Sequence, residues 1–270
     1  MRSFDYHRPP TAAEAVTLLS GLADARPIAG GMTLLPTMKQ RLAAPAALVD
    51  LSAIDGLSAI VVSGGTVTIG AMTPHATVAP SAEVQAAIPA LAALAGGIGD
   101  PQVRHRGTIG GSIANADPAA DYPAAVLGLG ATIVTDRREI PAEAFFKGLF
   151  ETALAADEII TAVRFPVPDA AGYAKFRSQA SRFAIVGAFV ARTGGSVRVA
   201  ITGAGPKVFR VPAIEDVLAA DFSAAALASV SIDPAGLNND MHADREYRAH
   251  LVVALTRRAV AKALAGPGAA

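Results

Sequence analysis

Two short stretches hold residues suited to gripping an anion through the main chain alone. Ala29-Gly30-Gly31-Met32-Thr33 and Thr108-Ile109-Gly110-Gly111-Ser112 each join a glycine pair to hydroxyl side chains, and neither contains a lysine. Glycine has no Cβ, so its backbone can come close to a ligand. Successive N–H groups, backed by a helix N-terminus, present partial positive charge without any cation. That chemistry suits a diphosphate, with Thr33, Thr108 and Ser112 as added hydroxyl donors. Gly64-Gly65 and Gly194-Gly195 read as ordinary turns.

Other chemistries are struck out by pattern. Gly203 and Gly205 are followed by Pro206-Lys207-Val208, and Gly97 and Gly99 by Asp100-Pro101-Gln102, so neither pair opens a dinucleotide-binding G-x-G-x-x-G. There is no phosphate-loop lysine motif, and Ser112 is followed by Ile113-Ala114, which excludes a G-x-S-x-G nucleophile elbow. The histidines at 7, 75, 105, 242 and 250 show no metal-ligand spacing. No catalytic acid, base or nucleophile and no metal site is expected in the chain.

The elements that would position the two turns can be read from pattern. Thr11 and Glu14 form a capping-box start for a helix that closes before Pro27. A short strand at Ile28-Ala29 feeds the first turn, and Thr33 is placed to cap a helix carrying Leu34, Met38 and Leu42, with Pro36 in its first turn. Leu48–Ile54 reads as a strand, and Ala59–Ala71 as a hairpin around Gly64-Gly65. Residues 73–95 are mostly helical, interrupted near Pro80 and Pro89. Ile109 is expected on a strand-like support. Asp117-Pro118 has the form of an N-cap and first helical residue, so an alanine-rich helix is expected from about Pro118. Asp121 is either an acceptor for a ribose diol or a solvated helix charge; sequence leaves both open. A strand at 131–135 and a β-rich stretch at 157–168 follow. The C-terminal module opens with residues 174–192, turns at Gly194-Gly195, and ends in a helix that aligns Tyr247, Leu251, Leu255 and Ala259.

The bulk composition narrows the function further. The chain has 270 residues, of which 52% are hydrophobic and 17% charged, and its 23 basic residues balance 23 acidic ones. That balance offers no electrostatic footprint for nucleic acid. An apolar, neutral surface suits a permanent subunit interface, and an alanine-rich composition bias accounts for it equally well. With no cysteine, the chain itself holds no disulfide and no cysteine-ligated iron–sulfur cluster. The start lacks the apolar core of a secretory signal, and no run of 18 or more apolar residues follows, so a cytoplasmic protein with no membrane span is expected.

Stretches 29–39, 69–79, 99–125, 158–166 and 176–187 together resemble the FAD-binding medium subunit of molybdenum hydroxylases, the family that includes bacterial carbon monoxide dehydrogenase and xanthine dehydrogenase. The A-G-G and T-I-G-G motifs at this separation are the most specific part of the match. The resemblance implies an α+β fold of vanillyl-alcohol-oxidase (PCMH) type: two α/β subdomains over 1–55 and 56–168, then a C-terminal domain of antiparallel strands and helices over 169–270.

It also implies site residues. Ile28, Ala29, Gly30, Gly31, Met32, Thr33 and Leu34 would line one FAD loop, and Thr108, Ile109, Gly110, Gly111 and Ser112 the other. Ile98 would lie near the adenosine and Asp121 on the polar edge. Ile159 and Ile160 match the family's apolar pair beside the flavin; Lys175, Arg177 and Phe183 would approach the isoalloxazine. Met32 stands where the family often has a polar residue, and Ser112 where Asn is frequent. In such enzymes a molybdopterin large subunit acts on substrate, a small subunit with two iron–sulfur clusters relays electrons, and the FAD passes them to an acceptor, in a dimer of heterotrimers. A free-standing flavin oxidoreductase and a non-catalytic nucleotide-binding scaffold are the rival readings.

Overall fold

The computed structural model describes residues 1–266. Strands Asp5–His7, Ala47–Asp50 and Ala25–Ile28 lie side by side in that order, all parallel. The Ala12–Gly21 helix joins the two outer strands, and Thr11 Oγ1 accepts from Glu14 N at 3.2 Å to start it. Its Ala15 and Leu19 are buried with Val49 and Leu51 on one side of the sheet. Ile28, Met38 and Leu48 form a second small core. Ile159, from far along the chain, completes the first of these cores, so this unit is tied to the next by packing.

The central sheet has five antiparallel strands in the order Ile60–Ser63, Thr66–Gly70, Ile160–Pro166, Thr132–Thr135, Glu139–Pro141. The hairpin expected around Gly64-Gly65 is its first pair. Short helices, including Pro89–Gly96, Ile109–Asn115 and Tyr122–Gly128, contribute to its core with Val67, Ile69, Ile133, Val163 and Phe165.

The last sheet orders Ala170–Arg177, Ala184–Thr193, Ser196–Thr202 and Phe209–Arg210, again antiparallel. Alternate residues of its second strand serve different cores, as a period of two requires: Phe189 and Ala191 join the central core, while Ala188 and Val190 pack with the long Arg245–Ala265 helix. Leu251, Leu255 and Ala259 of that helix are buried. Tyr247, at its start, stays half-exposed and meets Phe176 edge-on at 6.1 Å.

Several local expectations are corrected. Ile109 is the first residue of a helix, not part of a strand, because Thr108 caps that helix. No helix begins at Pro118: Asp117 Oδ1 instead accepts from Ala119 N at 2.8 Å in a tight turn, and the helix starts at Tyr122 with Pro123 in its first turn. The stretch expected to open the C-terminal module is two strands joined through a turn at 178–183. Leu42 falls beyond the Leu34–Lys39 helix and is exposed.

Candidate functional site

Both glycine turns face one cleft of about 440 Å³, walled by the end of the first parallel sheet, the helix-rich face of the central unit and the 178–183 turn of the last sheet. Of the residues singled out from sequence, Ile28, Ala29, Gly30, Gly31, Met32, Thr33, Leu34, Ile98, Thr108, Gly110, Gly111, Ser112, Asp121, Ile159, Ile160 and Phe183 line it. Ile109, Lys175 and Arg177 do not. Ile109 is fully buried beneath the second turn, and Arg177 is exposed at the end of its strand.

The turns touch each other, and that contact explains one glycine pair member. A Cβ on Gly30 would stand 2.0 Å from the Arg106 carbonyl oxygen and 2.9 Å from Gly107 Cα, so only glycine lets the loops meet. Gly31 has φ +74, a conformation that side chains disfavour. In the second turn, a Cβ on Gly110 would collide with Ala71, and one on Gly111 would stand 2.9 Å from Thr108 Oγ1. The missing Cβ atoms of Gly30 and Gly110 thus admit protein backbone and side chain, not an approaching ligand.

The amides of the two turns are used in opposite ways. Ile109 N donates to Thr73 O at 3.1 Å, Gly110 N to Ala71 O at 2.8 Å, and Ser112 N to Thr108 O at 3.0 Å. Gly111 N donates to Thr108 Oγ1 at 3.1 Å. The first turn is different: no acceptor among the described residues takes the N–H groups of Gly30, Gly31, Met32, Thr33 or Leu34, and Thr33 makes no side-chain cap. A run of free amides bent by a left-handed glycine is an anion-binding nest.

Asp121 is a buried ionic anchor. Its side chain is paired with Lys175 Nζ at 2.8 Å, Tyr173 OH donates to it, and Lys175 also donates to Gly97 O at 3.0 Å and Arg182 O at 3.1 Å. The reading of Asp121 as a solvated helix charge is overturned, because the residue is only 5% exposed. Burial pushes its carboxyl above the usual range, against the pull of Lys175. Lys175 does not line the cleft itself but holds two residues that do, Asp121 and Arg182. Beneath Ile159-Ile160, Glu158 is gripped by Arg138 at 2.7 Å and by Thr135 Oγ1 at 2.8 Å; the guanidinium pulls its carboxyl down to about 2.

Sequence reasoning missed His75, Met72, Asn115 and Arg182, and it read Asp117 as purely structural; all line the cleft. His75 is 4% exposed, and burial, with Arg104 nearby, pushes its imidazole down to about 4, so it is neutral at ordinary pH. Its Nδ1 is buried without a partner. A lone histidine outside any ligand pattern carries no signal in sequence, which is why it escaped notice. Arg104, in the basic cluster with His105 and Arg106, turns its guanidinium to Ile98 O and Gly99 O.

Among the described residues no cluster of three or more His, Cys, Asp or Glu side chains could hold a metal ion, and no helix is long and apolar enough to cross a membrane. What the cleft offers a ligand is main-chain amides, hydroxyls and apolar walls.

Residues 2–168, which carry both turns, match the family model described as the FAD binding domain in molybdopterin dehydrogenase. The chain belongs to that family. Within it, the chain is 40% identical to the carbon monoxide dehydrogenase medium chain of Afipia carboxidovorans, over 97% of each chain. It is 38% identical to the nicotine 6-hydroxylase medium subunit of Paenarthrobacter nicotinovorans, over 96% of each. Among solved structures, reconstituted CO dehydrogenase from Oligotropha carboxidovorans superposes with a TM-score of 0.88 at 35% identity, covering 98% of this chain and 99% of that one. Likeness over the full length extends the family relation to the C-terminal sheet. The chain is an FAD-binding medium subunit of the molybdenum hydroxylase type, and its class is oxidoreductase.

The site's own features fit such a cofactor. Free amides in a lysine-free turn suit a diphosphate, and Ile28, Ile98, Ile159 and Ile160 give the cleft apolar walls.

Proposed function

We propose that this chain holds FAD for electron transfer, with the diphosphate on the free amides of Gly30–Leu34. The observation that carries this reading is the contrast in amide use: the second turn fastens itself to Ala71 and Thr73, whereas the first presents unsatisfied donors to the cleft. Such donors are costly to leave unmatched, so a ligand that satisfies them binds strongly. Ile28, Ile98, Ile159 and Ile160 supply the apolar walls that ring systems need, with Phe183 at the rim. Thr33 and Ser112 offer hydroxyls. Asp121, tied to Lys175, sets the polar edge, and Thr108 keeps the second turn in place. Bound there, FAD supplies the redox chemistry that the side chains lack. The chain's residues bind, orient and shield it; no side chain is required as acid, base or nucleophile.

The three larger sheets support a division into 1–55, 56–168 and 169–270, with the first two units clasping the cofactor in the vanillyl-alcohol-oxidase manner. The cysteine-free composition supports a division of labour. Iron–sulfur clusters on a small partner subunit deliver electrons that a molybdopterin large subunit has taken from substrate, within a cytoplasmic dimer of heterotrimers, and an external acceptor takes them from here.

Anaerobic stopped-flow absorbance tests the reading. The full chain, loaded with FAD, is expected to be yellow, to be reduced by dithionite, and to be inert towards an aldehyde, a purine or carbon monoxide. Combined with its partner subunits, the flavin band is expected to bleach on addition of the complex's substrate. Substrate-driven bleaching by the isolated chain contradicts it in favour of a self-sufficient flavoenzyme, and a colourless chain that takes up no FAD in favour of a scaffold.

A further inference from the structure

Four side-chain atoms among the described residues are buried without a hydrogen-bond partner: His7 Nε2, Thr73 Oγ1, His75 Nδ1 and Tyr122 OH. Buried polar groups are nearly always satisfied, so each one asks for a reason. Three of them belong to one neighbourhood. His75 follows Thr73 by two positions, and its ring lies 5.3 Å from that of Tyr122, tilted by 48°. Tyr122 opens the helix that follows Asp121.

His75 is also part of the cleft wall. Its backbone N–H donates to Gly107 O at 3.0 Å, which pins it under the approach to the second turn. The ring edge is packed so closely there that a Cβ on Gly107 would stand 2.7 Å from Nε2. Gly107 is, in turn, the residue against which Gly30 closes. The imidazole thus sits directly behind the junction of the two glycine turns, where the free amides begin. Of the two ring nitrogens only Nδ1 is fully buried without a partner, and the residue itself lines the cleft.

We propose that His75 is a cofactor-contacting residue, a neutral imidazole that donates its Nε2–H to the diphosphate segment of FAD at the junction of the turns. This rests on the reading of the cleft as an FAD site. The physical case is that the junction is too buried to carry a cation cheaply, so a neutral N–H is the side-chain donor that matches an anion already held by amides. Arg104, whose charge acts on His75, is committed to Ile98 O and Gly99 O. With Nε2 protonated, the buried Nδ1, which no described residue donates to, is left as the acceptor nitrogen of the neutral ring.

The test uses the full chain labelled with ¹⁵N-histidine. Long-range ¹H–¹⁵N spectra are recorded without and with FAD, and the His75 signals are assigned by their loss in His75→Gln. The expected result is an Nε2–H tautomer whose Nε2 resonance moves on adding FAD, while His105, His242 and His250 do not move. Flavin fluorescence titration of two variants completes it. His75→Leu keeps the bulk and loses the donor, and is expected to weaken FAD binding about ten- to a hundredfold. His75→Gln, whose side-chain amide reaches the Nε2 position, is expected to recover most of that loss. Melting curves of the ligand-free variants show whether each is folded. FAD binding by the wild-type chain with unmoved His75 resonances overturns the inference alone, as does a folded His75→Leu chain that binds like wild type. A wild-type chain that takes up no FAD overturns the underlying site reading, and this inference with it.

Discussion

Ala29–Thr33 and Thr108–Ser112 each set two glycines beside hydroxyl side chains, yet one turn leaves its amides open to the cleft and the other spends them on its own scaffold. The difference comes from what lies behind each turn. Thr108 follows directly on the Gly107 contact with His75, and the carbonyls of Ala71 and Thr73 stand ready to accept from Ile109 and Gly110. The first turn leaves the edge strand of a small parallel sheet, and no carbonyl among the described residues accepts from Gly30–Leu34, so its donors stay free. The second turn is therefore a self-fastened seat, and the first, closed down onto it through Gly30, is the one proposed to grip the cofactor. A binding loop and the element that holds it in place can look alike in sequence.

Substitutions can break this comparison in a definite order. The largest effect is expected at the buried ion pair: Asp121→Ala leaves the Lys175 ammonium without its counter-charge and the Tyr173 hydroxyl without its acceptor, at a cost of about 3–5 kcal/mol, read as a lower melting midpoint of the ligand-free chain. An unchanged midpoint contradicts the anchor role. Next comes Gly30→Ala, whose methyl would meet the Arg106 carbonyl at 2.0 Å. About 1–3 kcal/mol of stability and nearly all of the flavin content are expected to go together, because prising the turns apart removes the grip. Full flavin content in a Gly30→Ala chain would show that the turns need not touch.

The sharpest comparison is a matched pair of smaller changes. Thr108→Ala removes the cap on Gly111 N–H and is expected to cost about 1 kcal/mol in stability. Thr33→Ala removes a hydroxyl that caps nothing, so its stability is expected to stay within about 0.5 kcal/mol of wild type while FAD affinity falls, by flavin fluorescence, by up to about tenfold. Opposite behaviour in this pair would exchange the roles of the two turns.

Much of this architecture was legible before any coordinates, because it rests on local chemistry. The Thr11 cap and the Gly64-Gly65 hairpin each follow from residues close in the chain, and the paired glycine turns stand out as the segments that line one cleft. What escaped reading depends on contacts remote in sequence. Whether Gly110 N–H is free is decided by Ala71, and whether Asp121 is solvated is decided by Tyr173 and Lys175. Pro118 and Pro123 both suited a first helical turn, and the side-chain turn made by Asp117 selected the second. His75 gave no pattern at all; only its position behind Gly107 makes it conspicuous.

In the proposed site FAD is held by the amides of the first turn, while those of the second are occupied beforehand. Hydrogen–deuterium exchange of the full chain, followed in peptides covering 28–35 and 108–113, measures both halves at once. The account predicts fast exchange at Gly30–Leu34 in the ligand-free chain and strong slowing when FAD is added, with the Ile109–Ser112 amides already slow and little changed. Protection that appears on the second turn while the first goes on exchanging freely with FAD bound would contradict it.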